Sequence, residues 1–415
     1  MAAAAPTGEP APPDGRLPHG ATVRLAERRF GVYVHVPFCA TRCGYCDFTT
    51  YTAEELGGGS GGLPSGGSRA GWADAIVSEW RLARDVLGAS RPAIDTVFIG
   101  GGTPTLLPPD DLRRVLDALR ADPGLTAGAE VTVEANPETL TPSGLRRLRD
   151  GGVTRLSMGM QSACEHVLAV LDRVHTPGRV VEAVADARAA GFDNLSLDLI
   201  YGTPGESLED WQRTLDVVVG LEPDHVSAYA LIVEPGTRLA ARVARGEIAH
   251  PDDDLMAAMY ELADDRLASA GFEWYEISNW ARPGRSCRHN VHYWRDTDWW
   301  GLGPGAHSHV GGVRWWNVKH PATWASRLDD GLSPAAAREV LDEPTRRLER
   351  IMLGLRTDSG ASLHDVQAAL PEDAHARVRE LVDNGLVQEE PVRQGRVVLT
   401  RRGRLLADAV TLRVT

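Results

Sequence analysis

The alternation of two hydrophobic patterns between about residues 30 and 245 most constrains how this 415-residue chain can fold. Short apolar runs predict strands at 31–36, 94–99, 130–134, 154–160, 194–201 and 225–233. Longer amphipathic segments between them predict helices, at 72–87, 112–119, 179–190 and 208–219. Repeated strand–helix units are typical of a parallel sheet with crossover helices. Six such units are too few for a closed eight-unit barrel, so the pattern predicts an α/β fold with a partial (β/α)6 barrel.

The rest of the chain predicts a tail, an insertion and a second domain. Residues 1–26 are rich in Ala, Pro and Gly without periodicity, which is typical of a disordered tail. The barrel domain is expected over 27–245, with a flexible Gly-rich insertion at 57–71. After residue 246 we expect a helix at 252–270, a loop dense in Trp, His and Gly, and short helices from 344 onward. Together these predict a mainly helical, winged-helix-like domain over 246–415.

Composition and charge exclude several classes of protein. Hydrophobic residues make up 43% of the chain and charged residues 24%, as in ordinary globular proteins. A formal net charge of -13 disfavours a nucleic-acid partner. No run of about 20 apolar residues occurs, so no transmembrane segment is expected. Five cysteines in a chain of this length predict free thiols and a reducing, cytoplasmic location.

Three of these cysteines, Cys39, Cys43 and Cys46, have the spacing C-x3-C-x2-C. Thiolates bind soft metal centres, and iron–sulfur clusters are commonly held by four of them. With three, one iron of a 4Fe–4S cluster stays open and can bind a small molecule. A structural zinc site needs four ligands, and the fourth would have to be His35 in the preceding strand. We therefore favour the cluster and keep zinc as the weaker alternative.

The segment around these cysteines, residues 33–48, resembles the cluster motif of radical S-adenosylmethionine (radical SAM) proteins. Within them it is most similar to the branch that holds oxygen-independent coproporphyrinogen III oxidases and HemW-type haem chaperones. The resemblance implies a 4Fe–4S cluster on the three cysteines, with SAM at the open iron. It extends over about residues 30 to 415.

Candidate SAM-binding residues follow the predicted strands, and parallel barrels place their functional residues at that end. Glycines allow close approach to a ligand, and the carboxylate of Glu134 suits an ammonium group or ribose hydroxyls. Gln161 can donate and accept hydrogen bonds, and Arg173 can clamp a carboxylate. The resemblance implies a SAM pocket lined by Tyr33, Tyr45, Gly101, Gly102, Thr103, Glu134, Gln161, Arg173, Asp198 and Ala230.

Residues 287–294, with the sequence C-R-H-N-V-H-Y-W, resemble the H-N-x-x-Y-W element associated with haem binding in the chaperone branch. Imidazole is a common axial ligand of haem, and aromatic rings can pack against the macrocycle. We expect His289 as the haem ligand, with His292 second and Cys287 third. The same Trp-rich stretch could equally be core that joins two domains.

The oxidases of this branch carry a further cysteine two residues after the third, where this chain has Phe48. They also have a longer ordered N-terminal segment. The expected function is therefore that of a haem chaperone, whose partners are haem and haem-receiving proteins, some of them at membranes. Whether SAM is cleaved and whether the chain forms a homodimer stay open. The alternatives are an oxidase that decarboxylates coproporphyrinogen III to protoporphyrinogen IX and, more distantly, an RNA-modifying radical SAM enzyme.

Overall fold

The computed structural model describes residues 8–56 and 65–415. Their central element is a 13-stranded sheet with the strand order β1-β13-β12-β11-β10-β2-β3-β4-β5-β6-β7-β9-β8, and a separate pair is formed by β14 and β15. The strands are β1 (Glu9–Pro10), β2 (Phe30–Val36), β3 (Ile94–Gly101), β4 (Leu125–Ala135), β5 (Arg155–Gln161), β6 (Leu195–Tyr201), β7 (His225–Ala230), β8 (Glu273–Glu276), β9 (Asn279–Ala281), β10 (Asp298–Leu302), β11 (His307–Val310), β12 (Val313–Asn317), β13 (Ala335–Val340), β14 (Ala361–Ser362) and β15 (Arg396–Val397).

Helices connect the strands and build the C-terminal region. They are α1 (His19–Thr22), α2 (Trp72–Leu87), α3 (Pro109–Ala121), α4 (Pro142–Asp150), α5 (Glu165–Val170), α6 (Pro177–Ala189), α7 (Leu208–Gly220), α8 (Arg238–Ala244), α9 (Asp253–Ser269), α10 (Arg288–Trp294), α11 (Pro321–Asp329), α12 (Glu343–Gly354), α13 (Leu363–Ala369), α14 (Ala374–Asp383), α15 (Glu389–Arg393), α16 (Arg401–Leu405) and α17 (Ala407–Val414). Short 3-10 turns lie at Leu25–Glu27, Ser65–Gly67, Gly88–Ser90, Pro104–Leu106 and Pro137–Thr139.

The six strands β2 to β7 are parallel and adjacent in sequence order, which confirms the predicted partial barrel. Most of their apolar residues are buried, as expected where helices cover a parallel sheet. Local signals fix the helix starts. Ser207 and Asp210 form a reciprocal capping box at α7, and Thr141 accepts a hydrogen bond from the backbone N–H of Gly144 at α4.

The Trp-rich stretch that was expected to be a loop forms strands β8 to β12 and helix α10. Strand β10 extends the barrel in parallel beside β2, and β9 pairs antiparallel with β7. Burial alternates along β12, and Trp300 packs edge-on against Trp315 with ring centroids 4.7 Å apart. The sequence did not predict these strands for two reasons. The density of Trp, His and Gly obscured the alternation of buried and exposed residues, and the strands depend on pairing with distant segments.

Hydrophobic packing divides the chain at a different place from the expected boundary at residue 245. One core extends from Ala21 to Ala335 and includes residues of α9 and β12. A second core extends from Ile351 to Val414 and is mainly helical, with the short β14–β15 pair. The helical character of the C-terminal region is therefore confirmed, while residues 246–340 share the core of the barrel.

The N-terminal residues also differ from the expected tail. Strand β1 pairs with β13, and Arg338 donates to Glu9 over 2.7 Å. Ala21 and Leu25 are buried, so residues 8–26 pack against the sheet although their composition is of low complexity. Residues 1–7 of the predicted tail lie outside the described residues.

Part of the predicted Gly-rich insertion, residues 57–64, also lies outside the described residues. Of the remaining residues, Gly66 and Gly67 are buried, and Arg69 and Ala70 are exposed. A Cβ on Gly66 would lie 2.8 Å from the Cβ of Ala75, and a Cβ on Gly67 would lie 3.1 Å from the Cα of Ala322. At these two positions glycine permits close contact between α2, α11 and the segment between them.

A buried carboxylate on α2 ties that helix to the strands added after the barrel. Glu79 is 2% exposed and accepts hydrogen bonds from Gly303 N (2.7 Å), Trp324 Nε1 (2.8 Å) and Asn317 Nδ2 (2.6 Å). Burial raises the pKa of Glu79 to about 7, and the three donors oppose that rise. The interaction joins α2, α11 and the β10–β12 edge of the sheet.

We predict that Glu79→Ala lowers the free energy of unfolding by about 3 kcal/mol, because it leaves three buried donors without an acceptor. Urea denaturation followed by circular dichroism measures the change. Arg81→Ala, on the exposed face of the same helix, is the matched control and should change stability by less than about 0.5 kcal/mol. Equal stability of the two variants would contradict this role of Glu79.

Candidate cofactor site

A cavity of about 540 Å³ lies within the partial barrel and is lined by residues of all six parallel strands and of the cysteine loop. Every residue assigned from the sequence to the cluster or to SAM lines it. These residues are Tyr33, Cys39, Cys43, Tyr45, Cys46, Gly101, Gly102, Thr103, Glu134, Gln161, Arg173, Asp198 and Ala230. The structure thus brings together residues that are almost 200 positions apart in the chain.

Backbone hydrogen bonds close the loop that carries the cysteines. Cys39 N donates to Tyr51 O over 3.0 Å, and Tyr51 N donates to Pro37 O over 2.7 Å. Inside the loop, His35 Nε2 lies 2.8 Å from Thr49 O. The two arms of the loop are therefore fixed to each other beside the end of β2, and the thiols face the cavity from one side.

The thiols have the chemistry of a metal site. Burial raises the pKa of Cys39 and raises that of Cys46 to about 11, so these thiols keep their protons until a metal displaces them. Among the residues that the structure describes, no three Cys, His, Asp or Glu side chains converge tightly enough to share a single ion. The thiolates of an iron–sulfur cluster bind different irons, so a wider arrangement of three cysteines fits the cluster.

A cationic side chain, Arg173, lies directly beside the cysteine loop. Its Nη1 is 3.4 Å from Cys43 Sγ, and its Nη2 donates to Asn136 Oδ1 (2.9 Å) and to Gly159 O (3.1 Å). Gly44 allows the cysteine loop to approach Asp172, the residue before Arg173, because a Cβ on Gly44 would lie 2.5 Å from Asp172 Oδ2. A positive charge is therefore held between the cysteines and the ends of β4 and β5.

Glu134 faces the cavity from the end of β4. Its Oε2 accepts a hydrogen bond from Gly101 N over 2.9 Å, and Gly101 has φ +111, a conformation that favours glycine. Burial raises the pKa of Glu134 to about 7, the charge of Asp198 adds to the rise, and Gly101 and Arg155 oppose it. The carboxyl group therefore titrates near neutral pH.

Two predicted residues reach the cavity in ways that the sequence did not indicate. Gln161 has φ +64 and lies at a bulge between β5 and β6, which turns its side chain into the cavity. Asp198 was expected at a strand end but lies in the middle of β6, where it accepts from Ser157 Oγ (3.0 Å) and Ser196 Oγ (3.2 Å). Burial raises the pKa of Asp198, and these hydroxyls oppose the rise. Tyr33 is likewise within β2, facing inward.

The cavity has further polar residues that the sequence analysis did not identify. Asn290 and Tyr293 reach it from α10, and Arg155 and Ser157 reach it from β5. One signal was available: positions 155, 157, 159 and 161 of β5 alternate with Leu156, Met158 and Met160, which is the pattern of a strand with a polar inner face. Asn290 and Tyr293 belong to the H-N-x-x-Y-W segment, but its sequence did not indicate that it would reach this cavity, because that depends on tertiary packing.

The predicted haem-binding residues lie elsewhere. His289 is fully buried, with Nδ1 2.7 Å from Thr96 Oγ1 and Nε2 2.9 Å from the hydroxyl of Tyr293. Burial lowers the pKa of His289 to about 3, so the ring is neutral. His292 is buried beside Asp95, with Nε2 3.3 Å from Oδ2. Neither imidazole lines the cavity, and both nitrogens of His289 are already engaged.

Cys287, the third candidate for a haem ligand, is also fully buried. Its Sγ lies 3.6 Å from Glu130 Oε1. Cys164 is buried at the start of α5, with its Sγ 3.5 Å from Asp210 Oδ1. These two thiols are thus separate from the cysteine loop.

The opening of the cavity is apolar and exposed. Phe48 is 62% exposed, Ile232 is 65% exposed and Tyr229 is 43% exposed, and all three line the same cavity. Burial raises the pKa of Tyr229, whose hydroxyl is turned toward Ser227 and Asn279. A flat apolar group could therefore contact the opening, with polar groups beneath it.

None of the helices in the described parts of the chain is long and apolar enough to cross a membrane.

Comparisons with known proteins agree with this geometry. The radical SAM superfamily model matches residues 33–218, and the HemN C-terminal domain model matches residues 341–406. A protein of Mycobacterium tuberculosis called heme chaperone HemW is 51% identical over 381 residues, which are 92% of this chain and 93% of that protein. A heme chaperone HemW of Bacillus subtilis is 32% identical over 384 residues, covering 91% of this chain and 97% of that protein.

Among solved structures, the coproporphyrinogen III oxidase HemN of Escherichia coli superimposes with a TM-score of 0.79. The match covers 95% of this chain and 92% of that chain at 23% identity, and it establishes a shared fold. The expected α/β radical SAM fold with a helical C-terminal domain is confirmed. The chain belongs to the HemW family of radical SAM proteins.

Proposed function

We propose that this protein is a haem chaperone, which binds haem and delivers it to haem-receiving proteins. The observation that carries the proposal is 51% identity over 92% of the chain to a protein called heme chaperone. Phe48 supports it, because the oxidases of this branch have a cysteine at that position. An exposed phenylalanine there offers a contact for a macrocycle in place of a thiol.

Membership of the radical SAM superfamily implies a 4Fe–4S cluster and SAM as cofactors. When bound and reduced, such a cluster could supply an electron to SAM. We propose that Cys39, Cys43 and Cys46 hold the cluster, and that Arg173, beside Cys43, binds the carboxylate of SAM. The other proposed contacts with SAM are Tyr33, Tyr45, Gly101, Gly102, Thr103, Glu134, Gln161, Asp198 and Ala230.

We place the haem at the opening of the cavity and not on α10. His289 could ligate iron only through a nitrogen that gave up its present contact, either Nδ1 with Thr96 or Nε2 with Tyr293. Phe48, Tyr229 and Ile232 instead offer exposed apolar surface without rearrangement. Haem at this opening would lie over the SAM site, which gives the cofactors a means of controlling its transfer. In that arrangement the cluster and SAM gate haem delivery or dimerisation.

We predict that Phe48→Ser combined with Ile232→Ser weakens haem binding about thirtyfold, since each replacement removes apolar contact worth about 1 kcal/mol. His289→Gln should keep the wild-type affinity. An anaerobic titration of the cluster-loaded protein, followed by its Soret band, measures both. Leu412→Ser, at a residue that is 78% exposed on α17, is the control for loss of surface hydrophobicity.

Loss of haem binding in His289→Gln alone would contradict the location at the opening and favour α10. In the same preparations, coproporphyrinogen III, SAM and a reductant are supplied and porphyrin products are followed. Formation of protoporphyrinogen IX would make the chain an oxidase and contradict the chaperone function.

A second prediction concerns the charge of Glu134. Since its pKa is about 7, the group is largely protonated at pH 6 and ionised at pH 8, and only the ionised form attracts an ammonium group. The ratio of SAM affinities between wild type and Glu134→Gln should therefore rise about fivefold to tenfold from pH 6 to pH 8. Isothermal titration calorimetry of the cluster-loaded proteins measures it, and the ratio cancels the titration of SAM itself. A ratio independent of pH would contradict this role.

The gating hypothesis predicts that replacing Cys39, Cys43 and Cys46 by Ala lowers haem delivery to an apo-haemoprotein at least fivefold, because the variant cannot hold the cluster. Transfer is followed by the spectrum of the acceptor, and circular dichroism checks that the variant is folded. Unchanged delivery would contradict any gating by the cofactors.

A further inference from the structure

Arg155, the first residue of β5, is an isolated cation inside the barrel. It is 1% exposed, lines the cavity, and makes no hydrogen bond or ion pair through its side chain with any described residue. Its Nε is buried without a partner. An unpaired buried charge costs several kcal/mol, so a protein keeps one only where something else offsets the cost.

The acidic groups near Arg155 are bonded to other donors. Glu130 accepts from the backbone N–H groups of Arg288 and His289, each over 3.1 Å. Asp198 accepts from two serine hydroxyls. Burial works against the charge of Arg155, but nearby groups, including Glu130 and Asp198, raise its pKa, so the guanidinium stays charged. Its donors are left for a ligand.

A second unpartnered polar group lies in the same cavity. The carboxamide of Asn290, on α10, has no hydrogen-bond partner among the described residues and lines the cavity together with Tyr293. The hydroxyl of Tyr293 is held by His289 Nε2 over 2.9 Å. Helix α10 therefore supplies fixed polar groups to the part of the cavity that Arg155 faces.

The carboxylate of SAM is not the expected partner of Arg155, because it is placed at another cation. SAM has one carboxylate, and Arg173, beside Cys43, is the cation at the cluster end of the cavity. Arg155 begins β5, and the carbonyl oxygen of Gly159, four residues along the same strand, accepts a hydrogen bond from Arg173. At about 3.3 Å per residue, the backbones of Arg155 and Gly159 are about 13 Å apart. The cavity thus has two separate cationic positions.

We propose that Arg155, assisted by Asn290, binds a carboxylate deep in the cavity, separate from the carboxylate site at Arg173. The guanidinium offers paired N–H donors that match a carboxylate. Taking the proposed function as given, the carboxylate is a propionate of haem, whose ring rests on Phe48, Tyr229 and Ile232 while one propionate extends inward. The other source of the same chemistry is the carboxylate of SAM itself.

The experiment uses the cluster-loaded full chain as wild type, Arg155→Met and Arg155→Lys. Each protein is titrated with haem, haem dimethyl ester, SAM and 5′-methylthioadenosine, which lacks the carboxylate of SAM. We expect Arg155→Met to weaken the affinity for haem at least tenfold and to change the affinity for SAM by less than twofold. The variant and the wild type should bind the dimethyl ester with equal affinity. Arg155→Lys keeps the charge and should recover part of the affinity.

The outcomes separate the sources. A tenfold loss of SAM affinity in Arg155→Met, with 5′-methylthioadenosine unchanged, would support the carboxylate site and identify SAM as its ligand. Unchanged affinity for all four probes, or equal losses for haem and its ester, would overturn the proposal. If the wild-type protein binds no haem, the proposed function is wrong. The titrations with SAM and 5′-methylthioadenosine then test by themselves whether Arg155 binds a carboxylate.

The melting temperature of Arg155→Met shows separately whether Arg155 is needed for stability. Because Arg155 makes no hydrogen bond or ion pair with a described residue, Arg155→Met should change the melting temperature of the protein little. A large fall would assign Arg155 to stability instead of ligand binding. In that case Arg155→Lys and Asn290→Ala decide: wild-type haem and SAM affinities in both would overturn the proposal.

Discussion

Parallel pairing of β2 to β7 is the constraint on which the site depends. In each strand alternate residues face the interior, so Tyr33, Ser157 and Asp198 meet inside the barrel although none of them lies at a strand end. The same pairing brings the glycines at the end of β3 next to the cysteine loop, where Thr103 N donates to Phe38 O over 2.8 Å. The cluster loop and the SAM residues thus share one framework, and displacement of one strand would affect both.

Sequence reasoning located most of this site because the signals are local. Apolar runs marked the six parallel strands, and the cysteine spacing together with the polar residues after the strands marked the cavity lining. The features that it missed depend on long-range packing. Strands β8 to β13 form by pairing with the barrel and with one another. The sequence shows alternating polar residues in β5, but only the structure shows that Arg155 Nε is buried without a partner. Composition likewise predicted disorder for residues 8–26, which pairing with β13 and burial of Leu25 override.

The position of α10 changes the interpretation of the H-N-x-x-Y-W segment. Its imidazole at 289 positions Tyr293 and packs on Phe98 with ring centroids 5.4 Å apart, so this residue supports the cavity wall. Helix α10 also packs against α12, the first helix of the C-terminal region, and Asp358 N donates to Tyr275 O over 3.0 Å. The segment therefore connects the cofactor cavity with the C-terminal domain. Through these contacts α10 joins the wall of the cavity to the region that the HemN C-terminal domain model matches.

We propose that the three cysteines and the cavity form one cofactor site. Iron analysis and electron paramagnetic resonance of the anaerobically reconstituted, reduced protein, recorded with and without SAM, test this. We expect about four irons per chain and a cluster signal that shifts when SAM is added, because SAM would bind the iron that lacks a cysteine. A signal unchanged by saturating SAM, or a chain that binds zinc in place of the cluster, would contradict it.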